Sequence, residues 1–134
     1  MCIHLQQLPG VWYIEETVMV NGSDISWGQD RIDQRLLPLD NTYTPAGDGQ
    51  GINVYVLDTG IKLSNKYFGN RVNLMYDYDS VKPRKKMCHE HGTHVAGVVG
   101  SNIYGVAKGV TLNSVRILNC NNAGTSSNII AGRY

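Results

Sequence analysis

Residues 51–60 read Gly-Ile-Asn-Val-Tyr-Val-Leu-Asp-Thr-Gly, an apolar run that ends in a carboxylate and a glycine turn. The run Ile52–Leu57 is nearly all apolar, which predicts a central parallel strand buried on both faces. Asp58 then lies at the carboxyl end of that strand, where open α/β sheets bind their ligands. The sequence thus puts a candidate functional carboxylate at the ligand-binding edge of a sheet.

A second motif, residues 89–97, reads His-Glu-His-Gly-Thr-His-Val-Ala-Gly. Its small apolar residues predict a helix over 93–99 that packs close to a sheet, with His91 at its head and Gly92 allowing close approach of backbone or substrate. An Asp and a His brought together are two members of a serine-protease triad, in the chain order Asp, His, Ser. In that order the serine is expected more than about 150 residues beyond the histidine. We therefore expect these 134 residues to contain the Asp and the His without the nucleophile.

Strands and helices alternate along the rest of the chain. Residues 71–77 alternate Val72, Leu74 and Tyr76 with other side chains, which predicts a half-buried strand. Further patterns predict a strand over 111–118, a helix from 127 onward, a short helix or irregular arm over 27–39, and a loop over 41–51. The β-branched and aromatic residues of 11–20 suggest extended strands. This order indicates an α/β fold with a parallel sheet and crossover helices.

The composition favours one globular domain without strongly charged partners. The chain has 42% hydrophobic residues and a net charge of +1, so no long-range field favours nucleic acid or a membrane surface. It contains no apolar run of about 18 residues that could span a bilayer, and no secretory signal pattern is visible at its start. The cysteines Cys2, Cys88 and Cys120 are an odd number, so at least one is expected to be unpaired.

Taken together, the two motifs resemble those of the subtilase family of serine proteases, peptidase S8. Residues 105–108 and 115–120, Gly-Val-Ala-Lys and Val-Arg-Ile-Leu-Asn-Cys, resemble its proteinase K branch, and the match runs from about residue 11 to 134. The resemblance implies a serine endopeptidase that cleaves polypeptides, with Asp58 and His91 as catalytic residues and with the serine and the oxyanion-hole asparagine beyond Tyr134. It also implies a partial subtilisin-like parallel sheet with crossover helices, preceded by the tail of an α+β inhibitory propeptide.

The family pattern divides the chain into two parts. It implies that residues 1–23 are the C-terminal end of the inhibitor propeptide and that 24–134 are the N-terminal part of the peptidase domain. The processing bond would then fall near Ser23 and Asp24. The expected partners are a polypeptide substrate and the protein's own propeptide, which acts as an inhibitor. We expect a secreted protein from the family and from its cysteine pair.

The resemblance assigns two further features. Cys88 and Cys120 match a pair that forms a disulfide in several members of the branch, which implies an oxidising compartment. Gly124, Thr125 and Ser126 look like the edge strand that pairs with substrate backbone. They also imitate a nucleophile motif, but we do not expect Ser126 to be the nucleophile. The chemistry requires no cofactor; structural calcium is common in the family, but no ligands are assignable and no metal site is predicted.

Three other functions fit parts of the sequence. The tripeptide Asp-Thr-Gly is also the signature loop of aspartic proteases, in which two carboxylates share a proton. Cys88, His89, His91 and His94 are four potential metal ligands within seven residues, as in a metal-binding module. A pseudoprotease that binds a protein partner would also fit a chain without its nucleophile.

Overall fold

A computed structural model describes residues 25–79 and 88–132 of the chain. The expected propeptide tail of residues 1–23, the strands expected over 11–20 and the processing bond near Ser23 and Asp24 lie outside the described residues. The described elements are, in chain order, α1 (Trp27–Asp33), β1 (Asn53–Asp58), β2 (Val72–Asp77), α2 (His91–Gly100), β3 (Thr111–Arg116) and α3 (Ser126–Ala131), with a 3-10 turn at Lys66–Phe68. The predicted helices and strands of this part are confirmed, and only the short 3-10 turn was not expected.

The three strands form one parallel sheet in the order β1-β3-β2. This confirms the predicted parallel sheet with crossovers, because β1 and β2 follow each other in the chain but lie on opposite sides of β3. The register aligns Asp58, the last residue of β1, with Arg116 on β3, and it aligns Asp77 on β2 with the same arginine. The carboxyl ends of the strands are therefore level at one edge of the sheet, where open α/β sheets hold their ligands.

The position of β1 within the sheet differs from the prediction. Among the described strands β1 pairs only with β3, so β1 is an edge strand and β3 is the central one. Val56 is buried, whereas Tyr55 is 54% exposed and Leu57 is also exposed. The reason is that α2 contacts one face of β1, and alternate side chains of a strand point to opposite faces. An apolar run by itself does not reveal which strand lies in the middle.

The burial of β2 also departs from the predicted alternation. Val72 and Tyr76 are half-buried as expected, but Leu74 is 53% exposed. Leu74 still pairs with Ser114 in the register set by Val72 and Leu112, but α2 packs mainly against β1 and β3 and leaves this side chain uncovered. The register changes only after it, between Leu74 and Tyr76, and that irregularity interrupts the alternation of faces. A period of two in the sequence does not reveal where the register changes.

The core lies between the sheet and α2. Its buried members are Val56, Ile61, Phe68, Ala96, Val110 and Leu112. Small residues allow α2 to approach the sheet closely, because Ala96 is fully buried and a Cβ at Gly100 would come within 2.8 Å of Val110. Close packing of this kind fixes the position of α2, and so of His91, against the carboxyl end of β1.

The N-terminal arm is tied to the turn that follows α2. Ser26 caps α1 and forms a capping box with Gln29. The buried side-chain amide of Gln29 donates to the carbonyls of Ile103 and Gly105, at 3.3 and 3.0 Å. The predicted helix or irregular arm is therefore a seven-residue helix followed by an irregular segment. None of the helices in the described ranges has the length and apolar character needed to cross a membrane.

Candidate active site

Asp58 ends β1, and its carboxylate lies at the level edge of the sheet. The first turn of α2 covers it, so that the side chain is 12% exposed. Its Oδ1 accepts a hydrogen bond from the backbone N–H of Thr59 at 2.6 Å. The carboxylate is thus buried and oriented before any contact with the histidine is considered.

His91 is the first residue of α2, and the structure brings its ring to Asp58. Nδ1 lies 2.8 Å from each carboxylate oxygen. Because an ionised carboxylate only accepts hydrogen bonds, Nδ1 carries the proton and donates it. The ring is 48% exposed, so Asp58 holds one edge of the imidazole and the remainder faces the surroundings.

This pair can take up and return a proton. A carboxylate bonded to the Nδ1 proton holds the imidazole in one tautomer and stabilises the imidazolium that forms when Nε2 accepts a proton. Within residues 25–79 and 88–132, no hydroxyl group hydrogen-bonds to the His91 ring. The described residues therefore supply a general base and the group that orients it.

Gly92 makes the contact between α2 and β1 possible. A Cβ at this position would lie 2.6 Å from the carbonyl oxygen of Gly60 and 3.1 Å from Oδ1 of Asp58. Neither atom belongs to a flexible side-chain end that could move away without cost, because the first is backbone and the second is held by His91. Gly92 thus allows the close approach of backbone that the sequence predicted.

Thr59 and His89 contribute to the site in ways that the sequence did not reveal. The Thr59 hydroxyl accepts from the Gly92 N–H at 2.9 Å and donates to the His89 carbonyl at 3.4 Å. His89 Nδ1 in turn accepts from the His91 N–H at 3.1 Å. A threonine after the aspartate indicates a turn and nothing more, so only the structure identifies these contacts.

Arg116 forms a second polar group at the same edge of the sheet. It is 3% exposed, and its Nη1 donates to both oxygens of Asp77 at 3.1 and 3.2 Å. The guanidinium also lies over the ring of Tyr78, 5.0 Å from its centroid, and Nη2 is 3.9 Å from Sγ of Cys88. Sequence reasoning missed this buried ion pair, because its two members are distant in the chain and neither belongs to a motif.

Cys88 and Cys120 form a disulfide. Cys88 lies three residues before His91, and Cys120 lies four residues after β3, so the bridge ties the segment that leads into α2 to the segment that leaves the central strand. With its sulfur in a disulfide, Cys88 has no thiolate to offer a metal. Nδ1 of His91 is likewise engaged by Asp58, and the described ranges contain no cluster of three His, Cys, Asp or Glu side chains that could hold a metal ion.

Gly124, Thr125 and Ser126 lie on the exposed surface after β3. A Cβ at Gly124 would come within 2.5 Å of the Ile117 carbonyl oxygen. Thr125 caps α3 by accepting from the Asn128 N–H at 3.2 Å, and Ser126 is the first residue of that helix. Thr125 is thus extended, whereas Ser126 already belongs to the capped helix.

Comparison with known proteins identifies the family. Residues 49–134 match Peptidase S8, the subtilase family, which is more than half of the chain. This chain belongs to the subtilase family. Asp58, His91 and the disulfide all fall within the matched residues.

Individual subtilases support the assignment. An extracellular serine proteinase of Thermus sp. (strain Rt41A) is 49% identical over 96% of this chain, which covers 32% of that protein. Proprotein convertase subtilisin/kexin type 9 of Rattus norvegicus is 37% identical over 94% of this chain and 19% of its own length. A cold-adapted subtilisin-like serine proteinase of known crystal structure shares 46% identity and a TM-score of 0.75, over 82% of this chain and 40% of that one. This subtilase chain thus spans about a third of the length of the Thermus relative.

The family and the structure argue against two of the alternative functions. The aspartic-protease interpretation is wrong, because the chain is a subtilase and its Asp58 carboxylate binds a histidine instead of sharing a proton with a second carboxylate. The metal-binding interpretation is weakened because two of its four proposed ligands are engaged elsewhere: the sulfur of Cys88 is in the disulfide, and Nδ1 of His91 is bonded to Asp58.

Proposed function

We propose that this subtilase is a serine-type endopeptidase in which Asp58 and His91 are the acid and base members of an Asp-His-Ser triad. The observation that carries the proposal is the bond from Nδ1 of His91 to both oxygens of the buried Asp58 carboxylate, at 2.8 Å. Nε2 would take the proton from the serine hydroxyl as it attacks the scissile carbonyl, and would then give that proton to the leaving amine. Asp58 would stabilise the imidazolium between these two steps. Nothing in this chemistry calls for a cofactor.

The serine and the oxyanion donor would come from residues other than those described. We propose that the 134-residue chain by itself hydrolyses no peptide bond at a measurable rate, because the members of a triad act as a unit. The chain covers about a third of its Thermus relative, which supports a nucleophile located elsewhere in the protein. A pseudoprotease that only binds a polypeptide is the alternative that remains.

The proposed substrate-binding residues and the proposed inhibitory segment lie near opposite ends of the sequence. The exposed backbone at Gly124 and Thr125, just before α3 begins at Ser126, would pair with the main chain of a polypeptide substrate through hydrogen bonds of the kind found between strands. An open groove of about 580 Å³ lined by His91 and His94 adjoins the base.

Residues 1–23 would form the end of an inhibitory propeptide, cleaved near Ser23 and Asp24. Secretion is proposed because the Thermus relative is an extracellular proteinase and because the chain carries a disulfide.

The proposal is testable in a chimera in which residues 49–134 replace the matching segment of the Thermus proteinase. We expect a fluorophosphonate probe to label the chimera's serine, because Asp58 and His91 would activate it. The chimera with His91→Ala, which retains the serine but lacks the base, should lose the labelling. Circular dichroism compared with the parent proteinase establishes that each protein is folded.

A folded chimera that takes up no probe would contradict the catalytic role of this half-site and favour the pseudoprotease. The isolated 134-residue chain serves as the second arm of the experiment. It should neither bind the probe nor cleave a peptide library. Phosphonate-sensitive hydrolysis by the isolated chain would overturn the proposal that the nucleophile lies elsewhere.

A further inference from the structure

The first turn of α2 has no cap of its own. Its N-cap residue, Glu90, makes no side-chain hydrogen bond to the helix. The first N–H groups of a helix have no partner inside the helix, so they must find one outside it. Gly92, one residue after His91, is buried, and its N–H donates to the hydroxyl of Thr59 at 2.9 Å. Thr59, the residue that follows β1, therefore caps the first turn of α2.

The same hydroxyl also reaches the other side of the histidine. Thr59 is fully buried, and its Oγ1 donates to the carbonyl oxygen of His89 at 3.4 Å. One side-chain oxygen thus contacts the backbone two residues before His91 and one residue after it. The backbone N–H of Thr59 donates to the Asp58 carboxylate at 2.6 Å. Thr59 is the residue through which both partners of the Asp58–His91 bond are held.

We propose that Thr59 is a positioning residue for His91, whose hydroxyl fixes the backbone on both sides of the histidine so that Nδ1 meets Asp58. The inference rests on the proposed function, because it concerns the base of that reaction. Catalytic groups must be held within about half an ångström of their working geometry by residues around them. Without the hydroxyl, the Gly92 N–H is a buried donor without a partner, and the start of α2 shifts or opens to reach water.

A matched control is available on the neighbouring strand, β3. Ser114 is also buried, and its Oγ accepts from the N–H of Ile61 at 3.0 Å. Its bond resembles that of Thr59 in type and burial, and it joins β3 to the residues just after Thr59. The bond involves neither His89 nor Gly92, the residues on either side of His91 that Thr59 contacts. Ser114→Ala therefore reports the general effect of losing one buried hydroxyl in this region.

The test uses proton and nitrogen NMR of the full chain with Thr59→Val, Thr59→Ser and Ser114→Ala. The unsubstituted chain should show a low-field resonance from the Nδ1 proton of His91, assigned by its absence in Asp58→Asn. Thr59→Val keeps the shape of the side chain and removes the hydroxyl. We expect it to lose the low-field resonance and to speed amide exchange at Gly92 by roughly tenfold or more, since local opening exposes that N–H. Thr59→Ser should restore both signals, and Ser114→Ala should leave both in place.

The possible outcomes separate this inference from the proposed function. A Thr59→Val chain that keeps the low-field resonance and slow exchange at Gly92 overturns the positioning role, as does an equal loss in Ser114→Ala. If Thr59→Val does not fold, the inference is decided by Thr59→Ser, which must retain both signals. A low-field resonance missing from the unsubstituted chain would count against the Asp58–His91 pair itself, and Gly92 exchange would still report whether Thr59 holds the helix.

Discussion

Asp58, Arg116 and Asp77 lie abreast at the carboxyl ends of three neighbouring strands. Arg116 is buried and directs its guanidinium to Asp77, not to Asp58. A buried cation without a partner is strongly destabilising, so Asp77 supplies the neutralising charge. This division leaves the Asp58 carboxylate available to His91. At the scale of single residues, the edge of the sheet thus holds two separate charge pairs, Asp58 with His91 and Asp77 with Arg116.

Replacement of Arg116 by Met removes the cation while keeping an unbranched side chain. We expect the free energy of unfolding to fall by about 3–5 kcal/mol, because the partly buried Asp77 keeps its bond from the Asp79 N–H but loses its only described counter-charge. Urea unfolding followed by circular dichroism measures the change. Adding Asp77→Leu should recover part of the loss, since it removes the orphaned charge. A single-variant loss within about 1 kcal/mol, as for exposed ion pairs, would show that Asp77 does not need its partner.

The element that carries the base, α2, owes its position to its glycines and alanine. Gly92 lets the first turn sit against Gly60 and Asp58, and Gly100 lets the last turn sit against Val110. Gly97, by contrast, has open space around the position of a Cβ. The same residue type therefore serves different purposes along one helix, and two substitutions can distinguish them.

Gly92→Ala should lower the free energy of unfolding by about 1–3 kcal/mol, because the added methyl group overlaps backbone that cannot move freely. Gly97→Ala should instead raise it by about 0.5–1 kcal/mol, because alanine loses less backbone entropy in a helix. Thermal unfolding of the two variants beside the parent chain provides the comparison. Equal and small effects at both positions would mean that Gly92 is not in close contact with β1.

Sequence reasoning succeeded where periodicity and local chemistry act alone. The apolar run before Asp58 predicted a strand, and the small residues after His91 predicted a closely packed helix; both are present. Whether β1 is central depends on its neighbours, and the exposure of Leu74 depends on which strands α2 covers. Neither property is encoded in the segment itself.

In the candidate site, the residues that lie in motifs could be predicted, and those that act through long-range contacts could not. Asp58 and His91 lie in motifs, so their meeting could be expected before any coordinates were known. Thr59 and Arg116 act through contacts with residues 30 or more positions away, His89 and Asp77 respectively. Such contacts have no local pattern, so neither one could be predicted from the residues around it.

At the scale of the whole molecule, the disulfide connects the site to the central strand. Cys88 and Cys120 are separated by 32 residues, and the loop they close contains all of α2 and β3. A cross-link of this kind stabilises the fold mainly by restricting the unfolded chain. It also limits how far the segment before His91 can move from β3.

Cys88→Ser should lower the free energy of unfolding by about 3–4 kcal/mol, which the chain-entropy relation gives for a loop of this length. Cys120→Ser should have the same effect, and the double variant should lose no more than either single one, because all three lack the same bond. Denaturant unfolding without reductant measures the three values. A loss below about 1 kcal/mol in both single variants would show that the bridge adds little to the fold.

The proposed catalytic role of this chain depends on Asp58 orienting His91. The most direct test is the kcat of the Thermus chimera with and without Asp58→Asn, with folding verified by circular dichroism. An asparagine cannot stabilise the imidazolium and favours the wrong tautomer, so we expect kcat to fall by roughly 10⁴-fold while KM changes little. A folded Asp58→Asn chimera whose kcat stays within about tenfold of the unsubstituted one would contradict the proposed role of Asp58.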